Sequence, residues 1–377
     1  MRKHWLDNLR WFTVLLVLFY HVIYIFNNKG VEGGLGGFVE GPSGQPQDIV
    51  MYILYPWFMM LLFLLAGISA RYALEKKEVK TFLRDRTRKL IVPATIGLFV
   101  FQWIVGYFNT RAVAATGAFD QLTTFNKWML YALSGVGPLW FAQELWAFSL
   151  ILIIIRKLDS KDKFRKLCAK SNWLIILLLG ILFWFGSQFM IFESDTPNPK
   201  AGLVNLYRPL AYLIPFLMGY FVFSNDSVLQ RLKKGFLPIA LGALASGIAL
   251  CITGWGTCPV QASYLAGWLN CLYAWMMALA MMGIFLNFFD RTNRFFSYLS
   301  RINYGLYVLH YPVLLVFAYF FKEQTQMSPW LIYPLLTILV FTLTPALYEL
   351  IHRIPFVRWA VLGEKKVKNC NDTLQHM

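Results

Sequence analysis

Ten long apolar runs constrain the fold of this chain more than any other feature of its sequence. Hydrophobic residues make up 58% of the 377 positions and charged residues only 14%, which is far from the balance of a soluble domain. Each run is close to the length that crosses a hydrocarbon core of about 30 Å as a helix. The runs lie near residues 11–28, 50–70, 90–108, 138–155, 173–192, 207–223, 236–254, 265–286, 303–321 and 330–351. The sequence therefore predicts an all-α, polytopic transmembrane helix bundle of about ten spans.

The basic residues are divided unevenly between the two sides that ten alternating spans define. All but six of the 35 Lys and Arg residues fall on the side of the termini, so both termini are predicted to be cytoplasmic. This bias explains the net charge of +16 without nucleic acid as a partner. The predicted organisation is a membrane domain over residues 1–355 and a short polar cytoplasmic tail over 356–377. The six exceptions are Lys29, Arg111, Lys127, Lys200, Arg208 and Lys322.

Two common signals, a cleavable leader and a cysteine-based site, are not predicted. The first apolar run lacks a small-residue cleavage site and is expected to remain as the first span of a protein in the cytoplasmic membrane. The cysteines form no C-x-x-C pair and have no histidine at metal-ligand spacing. Neither a disulfide framework nor a metal site is therefore expected.

Arg10 and His21 stand on the first apolar run, with Arg10 at its start. Eleven residues make close to three helical turns, so both side chains fall on one face, roughly 16 Å apart along the axis. A neutral imidazole is the commonest general base, and an arginine binds phosphate or carboxylate. The pair favours an enzyme whose anionic donor enters from the cytoplasm, although a lone histidine on an apolar helix is more often a packing residue.

Two further ionisable residues lie inside apolar runs, and such residues are functional candidates by default. Glu144 is expected about two turns below the outer surface, at a depth comparable with His21. It either orients the His21 imidazole or joins two helices through a hydrogen bond. His310 lies two residues before Pro312, which is expected to kink the helix and place this histidine on a cavity.

The basic run Arg84–Lys89 leads directly into the third apolar run. Its cations are suited to gripping the phosphates of a ligand. They are equally suited to anchoring the helix to anionic lipid headgroups, at about 1 kcal/mol per residue.

Several short motifs occur in an order that resembles the acyltransferase 3 family of membrane-embedded O-acyltransferases. The resemblance covers roughly residues 5–350. Arg10 followed by ten residues and His21 is similar to the R-x10-H signature of that family. The other motifs are Phe63-Leu64-Leu65-Ala66-Gly67, Lys89-Leu90-Ile91-Val92-Pro93, Leu139-Trp140-Phe141 and the stretch Asn303–Pro312.

The resemblance implies transfer of an acetyl or succinyl group from coenzyme A to a hydroxyl of a glycan or related envelope molecule. It is closest to the branch that includes glucan-modifying succinyltransferases. It implies His21 as the catalytic base and Arg10 as a residue needed near the donor. The chain departs from the family pattern at Ala66, where serine is usual, and at Lys89, where arginine is common.

These expectations combine into one mechanism. Arg10, Arg86 and Lys89 hold the phosphates of acyl-CoA, and the pantetheine arm reaches His21, with Glu144 in a catalytic, orienting role. Direct transfer and an acyl-histidine intermediate both stay open. The polar residues expected around the substrates are Tyr20, Tyr24, Trp140 and His310.

A multi-pass transporter or flippase of a polar or glycan substrate is the alternative, because such proteins also combine many helices with buried ionisable residues. No inverted repeat is visible between the halves of the sequence.

Overall fold

The computed structural model describes residues 3–26, 46–114, 121–159, 161–189, 208–324 and 328–365. Within these ranges the chain forms helices and no strands, so the predicted all-α class is confirmed. The helices are α1 (His4–Tyr24), α2 (Ile49–Lys76), α3 (Val79–Arg86), α4 (Trp103–Ala114), α5 (Thr124–Leu133), α6 (Trp140–Leu158), α7 (Lys163–Cys168), α8 (Trp173–Gln188), α9 (Pro209–Phe221), α10 (Asp226–Lys234), α11 (Phe236–Gly254), α12 (Ala262–Ala266), α13 (Trp268–Phe288), α14 (Arg294–Gln324), α15 (Pro329–Arg353) and α16 (Pro355–Leu362).

Seven helices in the described ranges are long and apolar enough to cross a membrane, namely α1, α2, α6, α11, α13, α14 and α15. The helices α8 and α9 are apolar but shorter. Seven such helices describe an integral membrane protein. The count of ten spans and the cytoplasmic placement of both termini stay predictions.

The third expected span, near residues 90–108, is not one continuous α-helix. It consists of a π-helical turn over Thr87–Ile91, a second π-helical turn over Leu98–Gln102, and then α4. Pro93 explains the interruption, because its ring lacks an N–H and would clash with the carbonyl four residues earlier. The Val92 N–H instead reaches back to the Thr87 carbonyl at 3.2 Å, a wider turn of the kind often found at functional sites.

The helix α2 lies at the centre of the bundle and packs against α1, α9 and α13. In its most apolar stretch, 78% of the residues are buried, against 22% in α11 and in α15. Its contact with α9 depends on Gly67, where any side chain would collide with the backbone carbonyl of Phe216. Small residues at such crossings allow the close backbone approach that holds helices together in lipid.

The helices α1 and α14 pack side by side and run in the same direction. Trp11 contacts Phe296 near one end of the pair, and His21 contacts His310 farther along both helices. The buried Asn8 side chain donates hydrogen bonds to the carbonyls of Phe289 and Arg291, 2.7 Å each, and so fixes the register at the start of the pair. This alignment brings together residues that are almost 300 positions apart in sequence.

The short helix α16 begins at Pro355, one residue before the predicted cytoplasmic tail, and packs against α14 and α15. Val361 and Leu362 on it are buried. Residues 366–377 of the expected tail lie outside the described ranges.

Candidate active site

The two intramembrane histidines face each other across the contact between α1 and α14. Nδ1 of His21 lies 3.3 Å from Nε2 of His310. His310 is fully buried, whereas His21 is partly exposed. The sequence singled out both residues but did not pair them, because nothing in it shows that α1 and α14 are neighbours.

Backbone carbonyls assign the protons on both imidazoles. Nδ1 of His21 lies 2.8 Å from the Val17 carbonyl, and Nδ1 of His310 lies 2.7 Å from the Tyr307 carbonyl. A carbonyl can only accept, so each Nδ1 carries the proton of a neutral ring. The His21 Nδ1–H is shared between Val17 and the unprotonated Nε2 of His310. Nε2 of His21 is consequently the nitrogen with a lone pair, as a general base requires.

Aromatic rings surround His21. The rings of Tyr20, Tyr24 and Tyr311 approach it edge-on, with centroids 5.3, 6.3 and 5.2 Å away. Tyr20 also stacks on Tyr55 from α2, with centroids 5.2 Å apart. The structure thus places the predicted residues Tyr20 and Tyr24 beside His21. Sequence reasoning missed Tyr55, which stands in an apolar run with no polar signature.

Glu144 and Trp140 lie on α6, beyond the immediate contacts of His21. Glu144 is fully buried and within electrostatic reach of the hydroxyls of Tyr212 and Tyr307. Trp140 stacks on Tyr212 with centroids 5.7 Å apart. The hydrogen bonds of His21 run to Val17 and His310, whereas Glu144 acts electrostatically on Tyr307, whose ring lies next to that of His310.

A basic cavity of about 320 Å³ opens on the side of Arg10. The structure brings the three predicted donor-binding cations, Arg10, Arg86 and Lys89, together on its wall. Arg10 donates a hydrogen bond to Ser69 of α2 and lies 3.5 Å from the carboxylate of Asp7. These contacts hold the Arg10 guanidinium at the entrance.

Arg86 and Lys89 contact aromatic rings within the cavity wall. The guanidinium of Arg86 lies 5.2 Å from the ring centre of Phe82, and the Lys89 ammonium lies 5.5 Å from that of Tyr304. Among the described residues, no carboxylate lies within 4 Å of either cation. Burial, followed by the charge of Arg10, lowers the pKa of Arg86 to about 10. Arg86 therefore stays charged at neutral pH in a place that favours a bound anion.

Part of the cavity lining lies on the face of α14 that also carries His310. Tyr304, Tyr307 and His310 follow at intervals of three residues, with successive ring centroids 6.0 and 6.3 Å apart. Both tyrosines line the cavity, and the Tyr307 hydroxyl donates to the Pro138 carbonyl next to α6. This face of α14 therefore carries two residues that line the basic cavity and, one turn farther along, His310, which is not part of the lining.

A second cavity of about 670 Å³ shares Arg10 and Ser69 with the first. Its other charged residues have both signs, namely Lys3, Asp7, Glu75, Lys76 and Asp226. Arg10 therefore stands between a narrow basic cavity and a wider one of balanced charge.

The segment that carries Lys89 packs against the C-terminal end of α16. The Arg88 side chain donates to the Gly363 carbonyl at 3.1 Å. Gly363 has a φ of +62°, and a side chain there would lie 2.7 Å from Cα of Lys89. Glu364 then accepts from the Tyr348 hydroxyl at 2.9 Å and lies 2.7 Å from Nδ1 of His352. These contacts fix the distance between the π-helical turn and α15.

A paired imidazole reached from a basic entrance is an arrangement suited to transferring a group from an anionic donor inside a membrane. The family model described as acyltransferase domain, which is the acyltransferase 3 family suggested by the motifs, matches residues 3–349. The chain belongs to this family, so the predicted membrane acyltransferase is confirmed. The match gives no support to the transporter or flippase alternative.

Curated relatives with the name glucans biosynthesis protein C match almost the whole chain. The protein from Escherichia coli strain SMS-3-5 / SECEC is 22% identical over 404 residues, covering 98% of this chain and 97% of the relative. That from Shigella dysenteriae serotype 1 strain Sd197 is 23% identical over 407 residues, with the same coverage. No solved structure matches the chain.

Proposed function

We propose that this acyltransferase moves an acetyl or succinyl group from acyl-CoA to a hydroxyl of a glucan or related envelope glycan, in the cytoplasmic membrane. One observation carries the proposal: His21, with Nε2 unprotonated, pairs with His310, and His310 shares a face of α14 with two residues of the cavity that holds three clustered cations. The name of the relatives, glucans biosynthesis protein C, supports a glucan as the acceptor.

The donor is held at its phosphates by Arg10, Arg86 and Lys89. Charge-assisted hydrogen bonds from arginine to phosphate are strong and directional, and Arg86 and Lys89 have no carboxylate within ion-pair distance among the described residues. A volume of about 320 Å³ is at the lower end of the range for small-molecule sites, which suits the thin pantetheine arm. The wider cavity on the other side of Arg10 offers room for the nucleotide.

His21 acts as the general base. Its Nε2 takes the proton of the acceptor hydroxyl while that oxygen attacks the thioester carbonyl carbon. The carbon–sulfur bond then breaks, and the coenzyme A thiolate leaves with the proton returned from the imidazolium. The acyl group ends as an ester on the acceptor.

His310 orients His21 during this step. Its Nε2 accepts a hydrogen bond from the Nδ1–H of His21, and that bond strengthens when His21 becomes positively charged. We place His310 in this role because it contacts the imidazole directly. Glu144 lies beside Tyr307 and acts on His310 through that neighbour.

The acceptor binds at the aromatic end of the site. The rings of Tyr20 and Tyr24, with Trp140 on α6, offer flat apolar faces together with polar edges. Tyr55 extends the same surface through its stack with Tyr20. Entry of the acceptor from this end keeps it separate from the donor until the two meet at His21.

Purified protein in lipid nanodiscs, supplied with acetyl-CoA or succinyl-CoA and a glucan, tests the proposal. We expect acceptor-dependent release of the coenzyme A thiol and a matching ester on the glucan by mass spectrometry. His21→Ala should abolish both signals, whereas His4→Ala, on the same helix but outside the site, should not. The proposal fails if neither donor yields an ester and if cells with and without the protein carry identical envelope glycans.

A further inference from the structure

Asn303 and Tyr304 line the basic cavity, and each carries a buried polar atom that has no hydrogen-bond partner among the described residues. Asn303 is only 8% exposed. Oδ1 of Asn303 and the hydroxyl of Tyr304 are enclosed, and neither has a hydrogen-bond partner among the described residues. A buried polar atom without a partner is costly and calls for an explanation, and a bound ligand supplies one.

The position of the pair defines which part of a ligand it meets. The Tyr304 ring contacts the Lys89 ammonium on one side and Tyr307 on the other. Asn303 and Tyr304 precede His310 by six or seven residues, which is roughly 10 Å along a helix. A ligand anchored at the cations and reacting at the histidines must therefore pass this pair between its two ends.

The chemistry of the two atoms selects the ligand group. Oδ1 of Asn303 is an acceptor, whereas a hydroxyl such as that of Tyr304 donates as well. Phosphate oxygens offer Asn303 Oδ1 no proton, and an alkyl chain satisfies neither atom. A secondary amide satisfies both, because it carries one N–H and one carbonyl.

We propose that Asn303 and Tyr304 form a subsite for the amide groups of the pantetheine arm. An arm N–H donates to Oδ1 of Asn303, and the Tyr304 hydroxyl donates to an arm carbonyl. The subsite rests on the proposed function, since it requires a coenzyme A donor. It gives the enzyme a way to recognise the donor beyond its phosphates and to set the depth of the thioester.

Two ligands distinguish binding of the pantetheine arm from binding of the nucleotide. Coenzyme A carries both, whereas adenosine 3′,5′-bisphosphate carries phosphates and no arm. Calorimetry on protein in nanodiscs should show Asn303→Leu and Tyr304→Phe each weakening coenzyme A binding by about tenfold, with bisphosphate binding unchanged. Arg86→Met should weaken both probes. Tyr273→Phe, which removes a hydroxyl bonded to the Ile53 carbonyl far from the cavity, should weaken neither.

Thermal unfolding provides the structural control. Each substitution removes a polar atom that lacks a partner, so we expect unfolding temperatures equal to or above that of the unsubstituted protein. Unchanged coenzyme A affinity in both variants would overturn the subsite, as would an equal loss for both probes with a lower unfolding temperature. A protein that binds neither probe before substitution would instead reject the coenzyme A donor itself.

Discussion

Nδ1 of His21 donates toward Nε2 of His310 over 3.3 Å, and each ring is also tied to a backbone carbonyl of its own helix. The relationship fixes the proton of the neutral His21 ring on Nδ1 and leaves Nε2 unprotonated. Two helices from opposite ends of the chain thereby meet at one pair of imidazoles.

Replacing His310 by Phe should lower kcat by about 100-fold, because the His21 imidazolium loses one of its two acceptors and keeps only the Val17 carbonyl to orient it. KM for the donor should change little, since the cations remain. His310→Gln restores an acceptor oxygen and should recover part of the rate. Steady-state kinetics of the three proteins check this.

The losses of rate caused by His21→Ala and by His310→Phe should not be additive. If His310 acts only through His21, the double variant is no slower than His21→Ala alone. A double variant that loses the full product of the two single effects would show that His310 acts on the substrates independently.

Arg86→Met and Lys89→Met should each weaken binding of adenosine 3′,5′-bisphosphate by about tenfold at low salt. The effect should shrink as ionic strength rises, because salt screens partly exposed charges. Arg84→Met is the matched control, since its exposed side chain on the same helix lies outside the cavity lining. Equal losses in all three variants would assign the effect to net charge.

Gly363→Ala should destabilise the protein by about 1–3 kcal/mol, because its positive φ is unfavourable for alanine. It should also weaken donor binding, since the new methyl group presses on the segment that carries Lys89. Gly256→Ala separates the two causes: Gly256 also has a positive φ, of +94°, but open space around it. We expect this control to affect unfolding temperature but not donor affinity.

Asp162 should make stability depend on pH in the acid range. Burial alone would raise the pKa of its carboxyl, but two hydrogen bonds from Arg71, 3.0 and 3.1 Å long, outweigh burial and place the pKa below its usual value. The stabilisation is therefore complete above about pH 5, begins to fall near the ordinary pKa of aspartate, and is lost as pH falls through the lowered pKa.

Thermal unfolding of Asp162→Asn at several pH values measures this effect. Asparagine tolerates the positive φ of +53° at this position as aspartate does, so the variant removes the charge and one acceptor for Arg71 without straining the backbone. The gap in unfolding temperature between the two proteins should narrow as pH falls from about 5 to 3. A constant gap would exclude the ion pair as its cause.

Local periodicity explains how far the sequence could predict the site. Arg10 and His21 lie on one helix, so their common face followed from spacing, and Arg86 and Lys89 are likewise near neighbours in the chain. The pairing of His21 with His310 depends instead on α1 and α14 lying side by side, and no local pattern encodes that contact. Tyr55 likewise lies at the site only because α2 packs on α1.

The interrupted third span shows a second limit. Pro93 predicts a break in the α-helix, but it does not predict the π-helical turns on either side of it. These turns depend on contacts with α16 and α6, such as the bond from the Trp146 indole to Thr87 at 2.9 Å. Long-range packing therefore decides the local geometry that carries Lys89.

The central position of α2 has a consequence for biosynthesis. Membrane proteins are made from the N-terminus onward, and α9, which fits into the groove at Gly67, follows α2 by more than 130 residues. The surface of α2 that is buried in the folded protein is therefore covered by lipid until these helices are made. Ribosome-bound chains ending before α9 should therefore be inserted but not assembled. The helix α2 can be enclosed by protein only after α9 and α13 have been made.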